Sequence, residues 1–152
     1  MTKTPQVDRA PADKAPPASR YIVYFDGVCG LCNWSVDVLL RLDREQRLLF
    51  TPLQGETAAG NLAASDREDL QTLIFSEAVG STTRLWRRSD AVLRALEICG
   101  GPIAAMACGL RVLPRWPRDL VYNLIARFRY RLFGQKSSCR IPSPAERSRF
   151  LP

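Results

Sequence analysis

The sequence predicts an α/β fold of order β-α-β-α-β-β-α, with additional C-terminal helices. Three observations carry this. A short apolar run at residues 21–25 passes through Asp26-Gly27 into a segment of helical periodicity. A second apolar run, 48–53, follows one helix later. Two β-rich runs, 71–75 and 82–86, flank a loop containing Gly80 and read as an antiparallel hairpin.

Taken in order, residues 1–19 are rich in Pro, Ala and charge, which predicts a disordered segment, and they hold no apolar stretch of the secretory-leader type. The first strand is expected at about 21–25 and the first helix from there to about 43. In that helix Leu31, Trp34, Ser35, Val38, Leu39 and Leu42 share a predicted core face, with Asp37, Arg41 and Asp43 opposite. Asp37 and Arg41 lie one turn apart and are placed to support each other. Pro52 stops the second strand.

Residues 56–70 hold one helix or two short ones, and Ser65-Asp66-Arg67-Glu68 has the form of a capping box. Ser89 or Asp90 is expected to cap a helix through about Ile98, ended by Gly100-Gly101 and Pro102. An apolar helix at about 103–113 stops before Pro114. The last helix is expected over about 117–133, with Pro117 at its start and Gly134 past its end. The organisation is a segment 1–19, one domain at 20–140 that includes a helical extension, and a tail at 141–152 without an evident regular pattern.

The bulk properties suit that plan. A chain of 152 residues makes one domain with a real core. Its 46% hydrophobic and 24% charged content is that of a soluble globular protein. Its five cysteines are not spaced as a disulfide framework, and a reducing, cytoplasmic address is expected. No apolar stretch reaches the roughly 18 residues that cross a bilayer. The net charge of +7 is uneven: residues 1–110 hold 12 Lys or Arg against 13 Asp or Glu, whereas 111–152 hold 10 against two. A solvated Arg-rich helical face accounts for this; an acidic partner or a membrane surface would also suit it. No nucleic-acid-binding motif accompanies the charge, and no nucleic acid is expected.

Chemistry concentrates at residues 26–33, Asp-Gly-Val-Cys-Gly-Leu-Cys-Asn. Cys29 falls at the mouth of the first helix, where unpaired N–H groups and the helix dipole favour an anion and so lower a thiol pKa. Cys32, three residues on, shares its face and is in reach of a mixed disulfide formed on Cys29. Cys29 therefore attacks and Cys32 resolves. Asp26 has two readings: a base for the proton of Cys32, or a turn residue bonded to nearby N–H groups.

The element order, with Cys-x-x-Cys ending the first strand, is the thioredoxin arrangement, in which this motif carries redox chemistry. Residues 24–33, Tyr-Phe-Asp-Gly-Val-Cys-Gly-Leu-Cys-Asn, resemble the signature of the DCC family, thiol-disulfide oxidoreductases named for Asp-x-x-Cys-x-x-Cys. The resemblance extends to Ser89-Asp90-Ala91, Gly100-Gly101, Leu113-Pro114, the run 122–134 and Cys139, and covers about residues 21–140. It implies a thioredoxin-like domain with a redox-active pair, a disulfide substrate, and an external thiol reductant such as glutathione or a thioredoxin-type protein, without a cofactor. Better-known thioredoxin-fold enzymes carry a cis-proline before the third strand. Residues 66–75 hold no proline, so substrate docking differs here.

Other residues rank below the pair. Cys99 and Cys108 lie in apolar helical runs and read as buried thiols. Cys139, beside Ser137-Ser138 and Arg140, reads as a spectator or as a further redox or regulatory thiol. Trp34 and Trp86 fall on predicted core faces. Ser89 and Asp90 are caps first; in glutathione-binding relatives of the fold that helix end holds a ligand carboxylate.

Two other functions compete with the oxidoreductase. One is a metal-binding module on Cys29 and Cys32, which lacks histidines and a second Cys-x-x-Cys and would need Cys139 with Asp26. The other is a non-catalytic adaptor that uses the Arg-rich C-terminal helix.

Overall fold

The structure, a computed structural model, describes residues 19–69, 72–138 and 140–152. Residues 1–18 of the predicted disordered segment, Gln71 at the head of the hairpin, and Cys139 lie outside the described residues, while Ser19, placed in that segment, opens the first strand because it pairs with Val79. Strand β1 (Ser19–Phe25) pairs in parallel with β2 (Leu48–Pro52) and antiparallel with β3 (Ile74–Val79). β3 in turn pairs antiparallel with β4 (Thr82–Arg87), so the four-stranded mixed sheet runs β2-β1-β3-β4. The helices are α1 (Gly30–Leu42), α2 (Glu56–Asn61), α3 (Ala64–Glu68), α4 (Arg88–Cys99), α5 (Gly101–Arg111) and α6 (Arg115–Phe133). The predicted thioredoxin-like order with extra C-terminal helices is the order observed, and residues 56–70 hold two short helices.

Alternation along β1 divides the core in two. Val23 and Phe25 face a cluster with Val36 and Leu39 of α1 and Ala91 and Ala95 of α4, while Ile22 and Tyr24 pack with Leu53, Ala58 and Leu62 on the opposite side. Register fixes this: Val23 stands opposite Phe50 on β2 and Phe75 on β3, both fully buried.

Several local expectations are corrected. The buried face of α1 is Cys32, Asn33, Val36 and Leu39, one residue out of phase with the predicted one, and Trp34 is 59% exposed. Asn33 causes the shift, because its Nδ2 donates to the carbonyls of Gly27 and Cys29 at 2.9 and 2.7 Å and must therefore face inward. Trp86 stays partly buried against the core, as expected.

The third strand starts at Ile74 and runs on to Val79, past its predicted end at Phe75, because Ser76-Glu77 is polar yet buried, with Glu77 held by Arg94 at 2.6 Å. Ala63, not Ser65, caps α3, and Asp66 receives a bidentate pair from Arg87 instead. β4 runs straight into α4, with Arg88 in left-handed conformation and its N–H on Leu73 O, so neither Ser89 nor Asp90 caps that helix. α6 starts two residues early, with Pro117 inside its first turn, and Gly134 (φ 73°) ends it as expected.

The tail is ordered by contact with the sheet. Phe150 stacks on Phe50 and meets Phe25 edge-on, Leu151 N donates to Phe50 O at 2.8 Å, and a short 3₁₀ turn spans Arg147–Arg149. Asp37 meets Arg140 rather than Arg41. Buried Asp43, after α1, pairs with buried Arg149, which also donates to Leu48 O. Among the described residues no helix is long and apolar enough to cross a membrane.

Removing one partner of a buried pair strands the other charge. Arg149→Ala is expected to lose about 3–5 kcal/mol of stability, read as a fall in the urea midpoint at unchanged slope; an unchanged midpoint refutes the clamp.

Candidate active site

The site begins where β1 ends. Asp26 Oδ1 accepts from Val28 N at 3.1 Å, and Cys29 N donates to Asp26 O at 3.3 Å, closing the turn that hands the chain to α1. Cys29 is the N-cap residue of α1, and its Sγ accepts from Cys32 N at 3.4 Å. A sulfur at this position takes the role usually held by Ser, Thr, Asp or Asn, and it does so best as an anion facing the helix dipole.

The two thiols differ sharply. The hydrogen bond from the Cys32 side chain is the leading cause that brings Cys29 down to about 6, against the opposing effect of burial and with further help from N–H groups of α1 and from Arg129. Cys32, the donor of that bond, is raised first by making it and then by burial and by the neighbouring thiolate. The predicted division is thus present electrostatically: at neutral pH a thiolate sits on Cys29 and a thiol on Cys32.

Sequence reasoning missed the residues that α6 adds. Arg129, 3% exposed, brings Nη1 to 3.7 Å from Cys32 Sγ and Nη2 to 3.4 Å from Asp26 Oδ2. Its Nη2 also donates to the Tyr130 hydroxyl at 2.8 Å, and that hydroxyl donates to Asp26 Oδ2 at 2.5 Å. Gln54 Nε2 adds a bond to Asp26 Oδ1 at 3.0 Å. Burial, followed by the bond to Asp26, pushes Tyr130 up to about 12 and keeps it a donor. Burial works against the charge on Arg129, but the two cysteines, Tyr130 and Asp26 outweigh it and raise its pKa. Asp26 therefore receives two backbone-turn and side-chain donors on one oxygen and the Arg129–Tyr130 pair on the other, with Arg129 between it and Cys32. The only signal in the sequence was the unmatched charge of α6, read there as a solvated face.

The mouth of the helix is not open. Residues 134–136, just past α6, lie across it: Gly30 N donates to Gly134 O at 3.2 Å, Lys136 N to Val28 O at 2.7 Å, and Cys29 forms an antiparallel bridge with Gln135. Cys29 is fully buried, whereas Cys32 retains 9% exposure. Gly30 makes this approach possible, since a Cβ there would stand 2.2 Å from Phe133 O. A small hollow of about 80 Å³ opens on the Cys32 side, lined by Leu31, Cys32, Leu73 and Arg129 among others.

The remaining predicted residues stand apart from the pair. Ser89 Oγ donates to Asp119, and Asp90 accepts from Arg115 and Arg118, both at 2.9 Å, so these two side chains fasten α4 to α6. Cys99 is half-buried, with burial raising it to about 11, while Cys108 is exposed, contrary to expectation, because α5 presents that side to solvent. Among the described residues no three His, Cys, Asp or Glu side chains gather to hold a metal ion. The guanidinium of Arg129 occupies the space between Cys32 and Asp26, where a cation would have to sit. A hollow of about 500 Å³ on the outer edge of the sheet, beside Trp86 and Arg94, shares no residue with this site.

Fold and site together define a thioredoxin-like protein with a Cys-x-x-Cys pair of unequal acidity. A family model of DCC1-like thiol-disulfide oxidoreductases matches residues 23–135, and the chain belongs to that family. It is 36% identical over 135 residues to the uncharacterized protein YuxK of Bacillus subtilis, covering 86% of this chain and 93% of the relative. It is 33% identical over 124 residues to a chloroplastic DCC family protein of Arabidopsis thaliana, covering 80% and 70%. No solved structure matches at a significant level.

Because a depressed thiol pKa keeps the thiolate populated down to that value, alkylation of Cys29 should rise with pH through a midpoint near 6. Cys32→Ala removes the leading stabiliser and should move the midpoint toward the ordinary thiol range, by more than Arg129→Lys does; no movement in Cys32→Ala refutes the assignment. Gly30→Ala should lift residues 133–136 and speed Cys29 alkylation at a fixed pH, read by peptide mass spectrometry; an unchanged rate means that the strap does not control access.

Proposed function

We propose that the protein is a thiol-disulfide oxidoreductase in which Cys29 is the nucleophile and Cys32 the resolving thiol. The observation that carries this reading is the Cys29 thiolate, with a pKa of about 6, accepting a hydrogen bond from the Cys32 thiol at the start of α1. A buried inert cysteine would be pushed the other way, as Cys99 is.

In the first step Cys29 sulfur attacks a substrate disulfide. One S–S bond breaks, a mixed disulfide forms, and the departing thiolate takes up a proton. In the second step Cys32 loses its proton and attacks the Cys29 sulfur of the mixed disulfide, releasing the second thiol. The substrate disulfide gains two electrons and two protons, and the dithiol becomes the Cys29–Cys32 disulfide. An external thiol, glutathione or a thioredoxin-type protein in a reducing compartment such as the cytoplasm, restores the dithiol.

Arg129 supports the second step. Its Nη1, at 3.7 Å from Cys32 Sγ, offers positive charge to the thiolate that must form there. Asp26, read from the sequence as a base for Cys32, acts in this scheme as the counter-charge that holds Arg129 and Tyr130 against the pair. It is a positioning residue. The adaptor reading draws on the exposed apolar side of α6 but leaves the unequal acidity of the two thiols without a use.

The test is turnover of hydroxyethyl disulfide with glutathione as reductant. Cys29→Ser should abolish it, and Cys32→Ser should accumulate a mixed disulfide on Cys29, visible by intact mass. Full turnover in Cys29→Ser would exclude the scheme.

A further inference from the structure

The hollow beside Cys32 does not end at the cysteine. Outward from it runs a groove of about 390 Å³ between α4, α5 and α6, with Leu93, Leu110, Leu113 and Val121 in its walls. Groove and hollow share Val92, Tyr122 and Ile125 as lining residues, so the two lie side by side, with Cys32 at the far end of the hollow. We infer that the two form one channel, that it binds an uncharged apolar chain carried by a small-molecule disulfide or thiol, and that the chain delivers its sulfur to the pair from the Cys32 side. The inference rests on the oxidoreductase reading and adds the substrate class.

Three observations select that occupant. First, the channel is lined almost wholly by carbon, and its few polar side chains are already engaged: Ser89 with Asp119, Arg118 with Asp90, Tyr122 with Leu73 N at 2.8 Å. A charged or hydrogen-bonding ligand would lose its hydration there for little return. Second, the volume falls in the range of small-molecule sites. Third, the walls are helices, whose backbone groups are bonded internally, so a peptide laid in the channel would find few partners for its own N–H and C=O groups. Val121 is 57% and Ile125 45% exposed, an arrangement that an apolar chain would cover.

The experiment is alkylation of the full-length protein by N-methyl-, N-butyl- and N-octylmaleimide, with adducts located by peptide mass spectrometry. The protein sulfur adds across the maleimide double bond and the adjacent carbon takes a proton from water, so no second thiol is needed. The rate at the Cys29–Cys32 peptide should rise about tenfold or more from methyl to butyl, and Val121→Asp and Ile125→Asp should flatten that rise, read as the butyl-to-methyl rate ratio within each variant. The exposed Cys108 in the same sample reports the intrinsic reactivity of each reagent.

Equal rates across the series, or a rise unchanged in both Asp variants, overturn the inference. So does faster reaction of a hydrophobic peptide–maleimide conjugate than of the N-octyl compound, which would assign the channel to a protein partner. Turnover of hydroxyethyl disulfide separates the two readings: its absence with chain-length preference intact removes the oxidoreductase, and its presence with a flat series removes the apolar channel.

Discussion

The contact of Arg129 with Asp26 holds the C-terminal helix against the turn that carries the cysteines. Both side chains are almost fully buried, and neither charge would be tolerated there alone. Their mutual neutralisation lets α6 dock on α1, and docking of α6 in turn lays residues 134–136 over Cys29. The shielding of the cysteine pair and the guanidinium beside Cys32 thus depend on one ion pair between residues 103 positions apart.

That pair also explains the unusual orientation of α6. Its polar residues Asp119, Tyr122, Arg129 and Tyr130 face the protein, and Leu120, Leu124 and Leu132 face outward. An amphipathic helix normally buries its apolar stripe. Here buried Asp26 and half-buried Asp90 require the guanidiniums of Arg129 and Arg118, and the helix turns to supply them. The same complementarity recurs in the tail, where Arg140 meets Asp37 and Arg149 meets Asp43. Much of the basic excess of residues 111–152 is therefore matched by acids of residues 1–110.

Reactivity and shielding are combined at Cys29. The interactions that lower its pKa, above all the Cys32 thiol, are those of a closed and largely water-free site, and Gly30 is the residue that lets the strap approach closely enough to close it. Cys32, by contrast, borders a hollow that adjoins the apolar groove between the helices. Access to the pair is thus asymmetric, blocked by backbone on one side and bordered by apolar side chains on the other.

The sequence by itself determined the order of strands and helices, the site of the Cys-x-x-Cys pair at the seam of β1 and α1, and the lowered pKa expected at Cys29. Each of these follows from short-range physics: periodicity, turn chemistry and the field at a helix end. It misjudged the phase of α1 because Asn33 is polar but buried by bonds to Gly27 and Cys29, and the end of β3 because Glu77 is buried by Arg94. Only the tertiary structure decided that Arg129 and Tyr130 complete the site, that Ser89 and Asp90 fasten two helices together, and that Cys29 lies beneath residues 134–136. Those contacts join residues tens of positions apart, and a buried guanidinium reads in a sequence like any solvated one until its carboxylate is brought beside it.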